Sequence, residues 1–191
     1  MTLVKNNLSQ FSIDAKASLF TVQAFASGIV AVVAHSPKFA IRNFSGSVTF
    51  GPNTIEDAAL NITIKTRSLE IMDDVRANDR REIEKVMFDE VLESSRFPIV
   101  EYKSSRVAAA KITENMYRVN VWGNLTLHGA TRGLQLDMQV MAGDETLKAQ
   151  GSFSIQQSDF GLKIATVAGG SLTLKDELKF GYYIIARRQH E

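Results

Sequence analysis

The stretch GNLTLHGATRGLQLDMQV, Gly123–Val140, decides how this chain folds. On its downstream side Leu134, Leu136, Met138 and Val140 alternate with Gln135, Asp137 and Gln139. On its upstream side, continuing MYRVNVW, the residues Tyr117, Val119, Val121, Leu125 and Leu127 fall on one face. A period of two marks strands with one apolar side. The segment HGATRG between them reads as a hairpin loop, with Gly129 and Gly133 available for positive backbone dihedrals. His128 sits at the strand end, opposite the face of Val121, Leu125 and Leu127, and reads as a hairpin residue rather than a catalytic one.

The same alternation runs outward in both directions. Downstream, TLKAQGSFSI aligns Leu147, Ala149, Gly151, Phe153 and Ile155, and ELKFGYYIIA aligns Phe180, Tyr182 and Ile184 against Tyr183 and Ile185. Upstream, PIVEYKSSRVAAA and ALNITIKTRSL are strands, the second with Leu60, Ile62 and Ile64 on one face. FSGSVTF, the turn GPNT and LFTVQAFASG complete the pattern, with the apolar run IVAVVA after the last of these. About eight strands joined by turns predict an all-β fold, a closed or nearly closed antiparallel barrel.

One segment breaks the period. Within DDVRANDRREIEKVMFDEVLESSRFP, Ile83, Met87 and Val91 recur every four residues, a narrow apolar stripe on a single inserted helix over Asp79–Glu93. Asp79 can cap its start with Glu82 three residues later. Pro98 ends it and extends Phe97. The stripe should lie on the barrel with the charged face in water.

The bulk numbers fit one domain spanning 1–191, with 45% hydrophobic and 23% charged residues. A net charge of +1 supplies no field that would recruit nucleic acid. No run approaches the ~18 apolar residues of a membrane helix, so no membrane insertion is expected. The start, MTLVKNNLSQFSID, lacks the plan of a secretory signal, and the expected location is cytoplasmic. Without cysteine there is no thiol catalysis, disulfide or thiolate metal site.

Other chemistry is sparse. His35, His128 and His190 are far apart and none has a partner at metal-ligand spacing. His35 precedes SPKF, a loop composition. No serine stands in a G-x-S-x-G elbow, and AGGS at Ala168–Ser171 lacks the lysine of a phosphate loop. The carboxylate pairs in EDAAL and MDDV read as solvated residues. No catalytic residue, metal ligand or cofactor is assigned.

Binding asks less of the sequence. An eight-stranded barrel has room for its side chains or for one slender ligand. Burial gives roughly 0.8 kcal/mol per CH₂, so a five-carbon isoprene unit contributes about 4 kcal/mol before ordering costs. A multi-unit chain can therefore bind without a charged anchor. The expected lining is Val119, Val121, Leu125, Leu127, Leu136, Met138, Phe153 and Phe180. Tyr182 falls near the headgroup or midway along the chain.

Four ordered segments carry a resemblance to a known family. GNLTLHGATRGLQLDMQV resembles the G-D-L-T-I-H-G-V-T-K-x-V hairpin of the YceI-like proteins, and NFSGSVTF their F-S-G-x-I-x-F strand. RFPIVEYKSSRV is similar to the Y-P-x-I-x-F-x-S strand, and QSDFGLK to the R-S-D-F-G-I turn. The resemblance runs from FSID to DELKFGYYIIA. It implies a lipocalin-like, extended antiparallel barrel with a helix beside it. It also implies a tunnel for an isoprenoid quinone or another polyisoprenoid, without established catalytic residues. Members commonly form dimers, so a homodimer is compatible with it. Many are bacterial periplasmic proteins with a secretory signal, which is not seen here. The family's V-x-H-x-G has no clear counterpart in IVAVVAHSPKFAIRNFSG, and no ligand role passes to His35.

Two other readings compete with a lipid binder. One is an enzyme with His128, Asp159 and Arg132 at one barrel mouth. The other is an interaction module using the charged helix over a filled barrel.

Overall fold

A computed structural model describes residues 8–27, 36–51, 58–167 and 172–190. Its strands are β1 (Ser9–Ile13), β2 (Leu19–Ser27), β3 (Lys38–Ile41), β4 (Phe44–Phe50), β5 (Ala59–Lys65) and β6 (Leu69–Ile71). After a helix come β7 (Ile99–Lys111), β8 (Met116–Leu127), β9 (Ala130–Ala142), β10 (Thr146–Gln156), β11 (Thr166–Val167) and β12 (Leu172–Arg188). IVAVVA, His35, AGGS, most of GPNT and the carboxylate pair Glu56 and Asp57 of EDAAL lie outside the described residues.

The sheet is antiparallel throughout, and its short elements combine in pairs. β1 pairs with β4 while β2 pairs with β3, and β4 pairs with β5 while β3 pairs with β6. β1–β2, β3–β4 and β5–β6 therefore act as three long, kinked strands. β7, β8, β9, β10 and β12 supply five more. β12 then pairs with β1 at one end and β2 at the other, closing an eight-stranded barrel.

Sequence reading missed β1 and β3. The SPKF segment, taken as a loop, leads into β3, where Phe39 and Ile41 face inward and are buried. β7 carries a bulge. Ser104 pairs with Gly123 and Arg106 with Trp122, leaving Ser105 as an extra residue. Tyr102 and Val107 are consequently both buried despite an odd separation.

The Gly123–Val140 stretch is the β8–β9 hairpin, with Leu127 paired to Ala130 across two residues. His128 (φ 52°) and Gly129 (φ 76°) both take left-handed backbone. Two positive φ values are the requirement of the hairpin turn that matches sheet twist. The loop is thus His128–Gly129 alone. Contrary to the six-residue loop expected, Gly133 is an ordinary strand residue paired with Asn124.

The helix, α1, runs over Ala77–Lys85 and continues as a π-helical turn over Val86–Val91. It starts two residues before the expected cap: Arg76 occupies that position without a side-chain cap bond, and Asp79 lies in the first turn. There Asp79 complements the helix dipole instead of capping. In the π turn the Leu92 N–H reaches the Met87 carbonyl, five residues back. The wider turn brings Val86 and Leu92 onto the apolar stripe beside Ile83, Met87 and Val91.

Candidate functional site

The barrel's inner face is incompletely filled. Two cavities of about 290 and 430 Å³ lie in the barrel and share Phe20, Ile62, Leu136 and Phe153. The first is at the helix end. Its wall includes Val22, Phe39, Ile41, Ile64, Leu125, Leu127 and Phe180, with Ile83, Met87 and Leu92 of the helical segment. The second is at the opposite end, among Phe44, Val48, Val107, Val119, Val121, Met138, Tyr182 and Ile184.

The nine residues named from sequence all reach these walls. Leu125, Leu127 and Phe180 line the helix-end cavity. Val119, Val121, Met138 and Tyr182 line the other, and Leu136 and Phe153 touch both. Cross-strand pairing puts them there. Val119 faces Met138 and Val121 faces Leu136, while Phe153 faces Phe180 and Gly151 faces Tyr182.

The waist between the cavities is aromatic. The Phe153 and Phe180 rings stack at 4.7 Å with only 2° between their planes. Phe20 meets Phe180 and Tyr182 edge-on, each at 6.2 Å. The Tyr182 ring folds over Gly151, whose missing side chain makes room: a Cβ there would come within 2.7 Å of the ring carbon Cζ. Tyr182 therefore stands beside the waist, on the side of the second cavity.

Polar groups are few, and the phenols are tied to the backbone. Tyr182 donates to the Asp137 carbonyl at 3.3 Å, and the single Tyr102 hydroxyl proton is shared between the Val121 and Leu134 carbonyls, each 3.2 Å away. Burial pushes the Tyr102 phenol up to about 12. Burial first, then the Asp137 charge, raises that of Tyr182. Thr66, Asp73 and Gln157 are the other hydrogen-bonding side chains of the helix-end cavity, and Tyr117 belongs to the far one. Among the described lining residues there is no lysine, arginine or histidine.

His128 lies outside both cavities. Its Nε2 is 2.7 Å from Glu93 Oε2, and its ring rests 4.3 Å from that of Phe97, which Arg96 covers at 4.9 Å. Glu93 also has a left-handed backbone, φ 42°. This contact ties the segment after the helix to the β8–β9 turn. Arg132 donates to the neighbouring Thr131 carbonyl, and Asp159 lies exposed in the short helix Ser158–Phe160. Within the described residues no hydrogen bond or ion pair joins His128, Arg132 and Asp159. No group of three or more potential metal-ligating side chains occurs among the described residues.

Sequence reading missed much of the helix-end wall. Phe39 and Ile41 were hidden in a segment read as a loop. Tyr102 was obscured by the β7 bulge, which breaks simple alternation. The Leu60, Ile62 and Ile64 face was visible but not connected to the cavity. The helix stripe was expected on the barrel; Met87 in fact faces the space within it.

Comparison with known proteins agrees with this architecture. The family model of the YceI-like domain matches residues 11–184. Among solved structures, BcnA of Burkholderia cenocepacia superposes with a TM-score of 0.68 at 19% identity, over 91% of this chain and 98% of that one. A polyisoprenoid binding domain from Saccharophagus degradans, implicated in plant cell wall breakdown, gives 0.66 at 13% identity, over 94% and 98%. A YCEI protein of Campylobacter jejuni gives 0.56 at 19% identity, over 79% and 84%. No curated protein shows significant sequence similarity to the chain.

Proposed function

Because the chain belongs to the YceI-like domain family, we propose that its barrel binds a linear apolar lipid of isoprenoid type, a quinone or another polyisoprenoid. The observation that carries this reading is the pair of apolar cavities meeting at one aromatic waist. A filled structural core would leave no such space, because protein interiors pack like organic crystals. The likeness to a polyisoprenoid binding domain points the same way.

In this reading the chain threads the waist between Phe20 and the Phe153–Phe180 stack. Branch methyls meet Leu125, Leu127 and Leu136 on the helix side, and Val119, Val121 and Met138 on the other. Each buried isoprene unit contributes about 4 kcal/mol before ordering costs, at roughly 0.8 kcal/mol per CH₂. Several units then exceed the ~4–15 kcal/mol of association cost. Binding needs no bond-making side chain, and the protein acts as a carrier, store or sensor rather than an enzyme.

The test is mass spectrometry of an organic extract of the purified protein, alongside a native-mass spectrum of the intact form. A stoichiometric isoprenoid is expected. A ligand-free spectrum, with no uptake of added quinone or polyprenol, would overturn the reading.

A further inference from the structure

We infer that the barrel selects its lipid by tail length and encloses about five isoprene units, an inference that rests on the lipid-binding reading above. The order of the lining residues along the strands comes first. On β8, Tyr117, Val119 and Val121 line the second cavity, and Leu125 and Leu127 the helix-end one. On the antiparallel β9 the order is reversed: Leu134 lines the helix-end cavity, Leu136 both, and Met138 and Val140 the second. β10 and β12 repeat it, with Ala149 in the second cavity and Phe153 in both, then Phe180 in the first and Tyr182 in the second. The cavities thus follow one another along the barrel, and one straight chain can occupy both.

Length and volume then give the same number independently. From Tyr117 to Leu127, β8 advances about 34 Å at ~3.4 Å per residue, or about 26 Å along the axis of a barrel whose strands tilt by roughly 40°. An extended isoprene unit advances about 5 Å, four carbon–carbon bonds of about 1.5 Å in zigzag. About five units therefore span the lined length. For volume, an apolar cavity of about 150 Å³ accommodates benzene, about 25 Å³ for each carbon. On that scale the helix-end cavity of about 290 Å³ takes about 12 carbons, two complete units. The second, of about 430 Å³, takes about 17 carbons, three complete units. A shorter tail leaves part of the space empty, and the walls there lose their contacts. A longer one leaves its surplus units in water.

The experiment offers the delipidated full chain an equimolar mixture of all-trans prenols of three to eight units, held in excess in non-ionic detergent micelles. Native mass spectrometry reads which ones are bound. The head is constant, so only the tail varies, and the micelle cancels the gain that any tail makes on leaving water. Occupancy is expected to peak at four to six units, with the three- and eight-unit prenols at least about tenfold lower. Ala149 lines the second cavity, paired with Val140 and Ile184. Ala149→Phe fills part of that cavity and should move the peak down by about one unit. A peak at three units, a peak at seven or more, or no peak overturns the inference while leaving the lipid-binding reading intact. So does an unmoved peak in a folded Ala149→Phe protein, which would place the tail outside the second cavity. Should no prenol bind, the lipid-binding reading fails as well. The wild-type series alone decides between these outcomes if the variant does not fold.

Discussion

At the scale of single residues, two side chains carry more than their sequence context announces. Glu93 pays a left-handed backbone (φ 42°) to place its carboxylate on His128, which is left-handed too. A non-glycine residue in this region costs about 1–2 kcal/mol, so the contact and the turn have to outweigh it. Glu93→Ala removes the contact and keeps the strain; Glu93→Gly removes both. The alanine variant should be less stable than the glycine variant by about 1 kcal/mol in urea unfolding. Tyr102 makes a pH prediction. Its phenol titrates near 10 when solvated and is pushed up to about 12 by burial in the fold. Below about pH 10 both states hold the proton and stability is full. As pH rises through about 12, the unfolded chain ionises first and stability is lost. The urea midpoint should fall over this window, and Tyr102→Phe should flatten the fall. At neutral pH that variant should cost about 1 kcal/mol, from loss of the phenol's buried hydrogen bond.

At the scale of elements, irregularities decide what faces the cavity. Ser105 is the extra residue that lets Val100 and Tyr102 face inward before it, and Val107 after it. A one-residue slip moves a strand's apolar set to the wrong side. Deleting Ser105 should therefore abolish cooperative unfolding or lower its midpoint sharply, whereas Ser105→Ala should change stability by less than about 1 kcal/mol. The strands with unbroken alternation, β8, β9, β10 and the Phe180–Ile184 part of β12, were legible in the sequence, and every lining residue named in advance comes from them. β3 was too short to show a period among lysine, proline and arginine. The π turn was invisible because periodicity arguments assume a fixed helical step. Even so, the Ile83–Met87–Val91 stripe marked the right helix face. Met87→Ala should cost about 2 kcal/mol, the lower end for a buried methionine because the neighbouring space is already open. It should also weaken lipid retention, read as faster loss of bound lipid on dilution.

At the scale of the molecule, barrel closure turns local alternation into two apolar cavities that share Phe20, Ile62, Leu136 and Phe153. Eight strands give an interior just wide enough for side chains or one slender ligand. Here small and large inward residues leave space at both ends and crowd the middle. Phe153 stands in that middle, touching both cavities and stacking on Phe180. Its neighbour Ser154 is exposed on the outer face of the same strand. The pair permits a test in which a charge moves by one residue and crosses the wall. Phe153→Asp puts a carboxylate between the two apolar cavities, where neither lining supplies a cation among the described residues. It should destabilise by about 3 kcal/mol or more and leave the purified protein without lipid. Ser154→Asp should keep both its stability, within about 0.5 kcal/mol, and its lipid. Circular dichroism of the first variant separates loss of ligand from loss of fold. If a folded Phe153→Asp protein still carries stoichiometric lipid, the chain does not pass the waist, and the two cavities must be treated as separate sites.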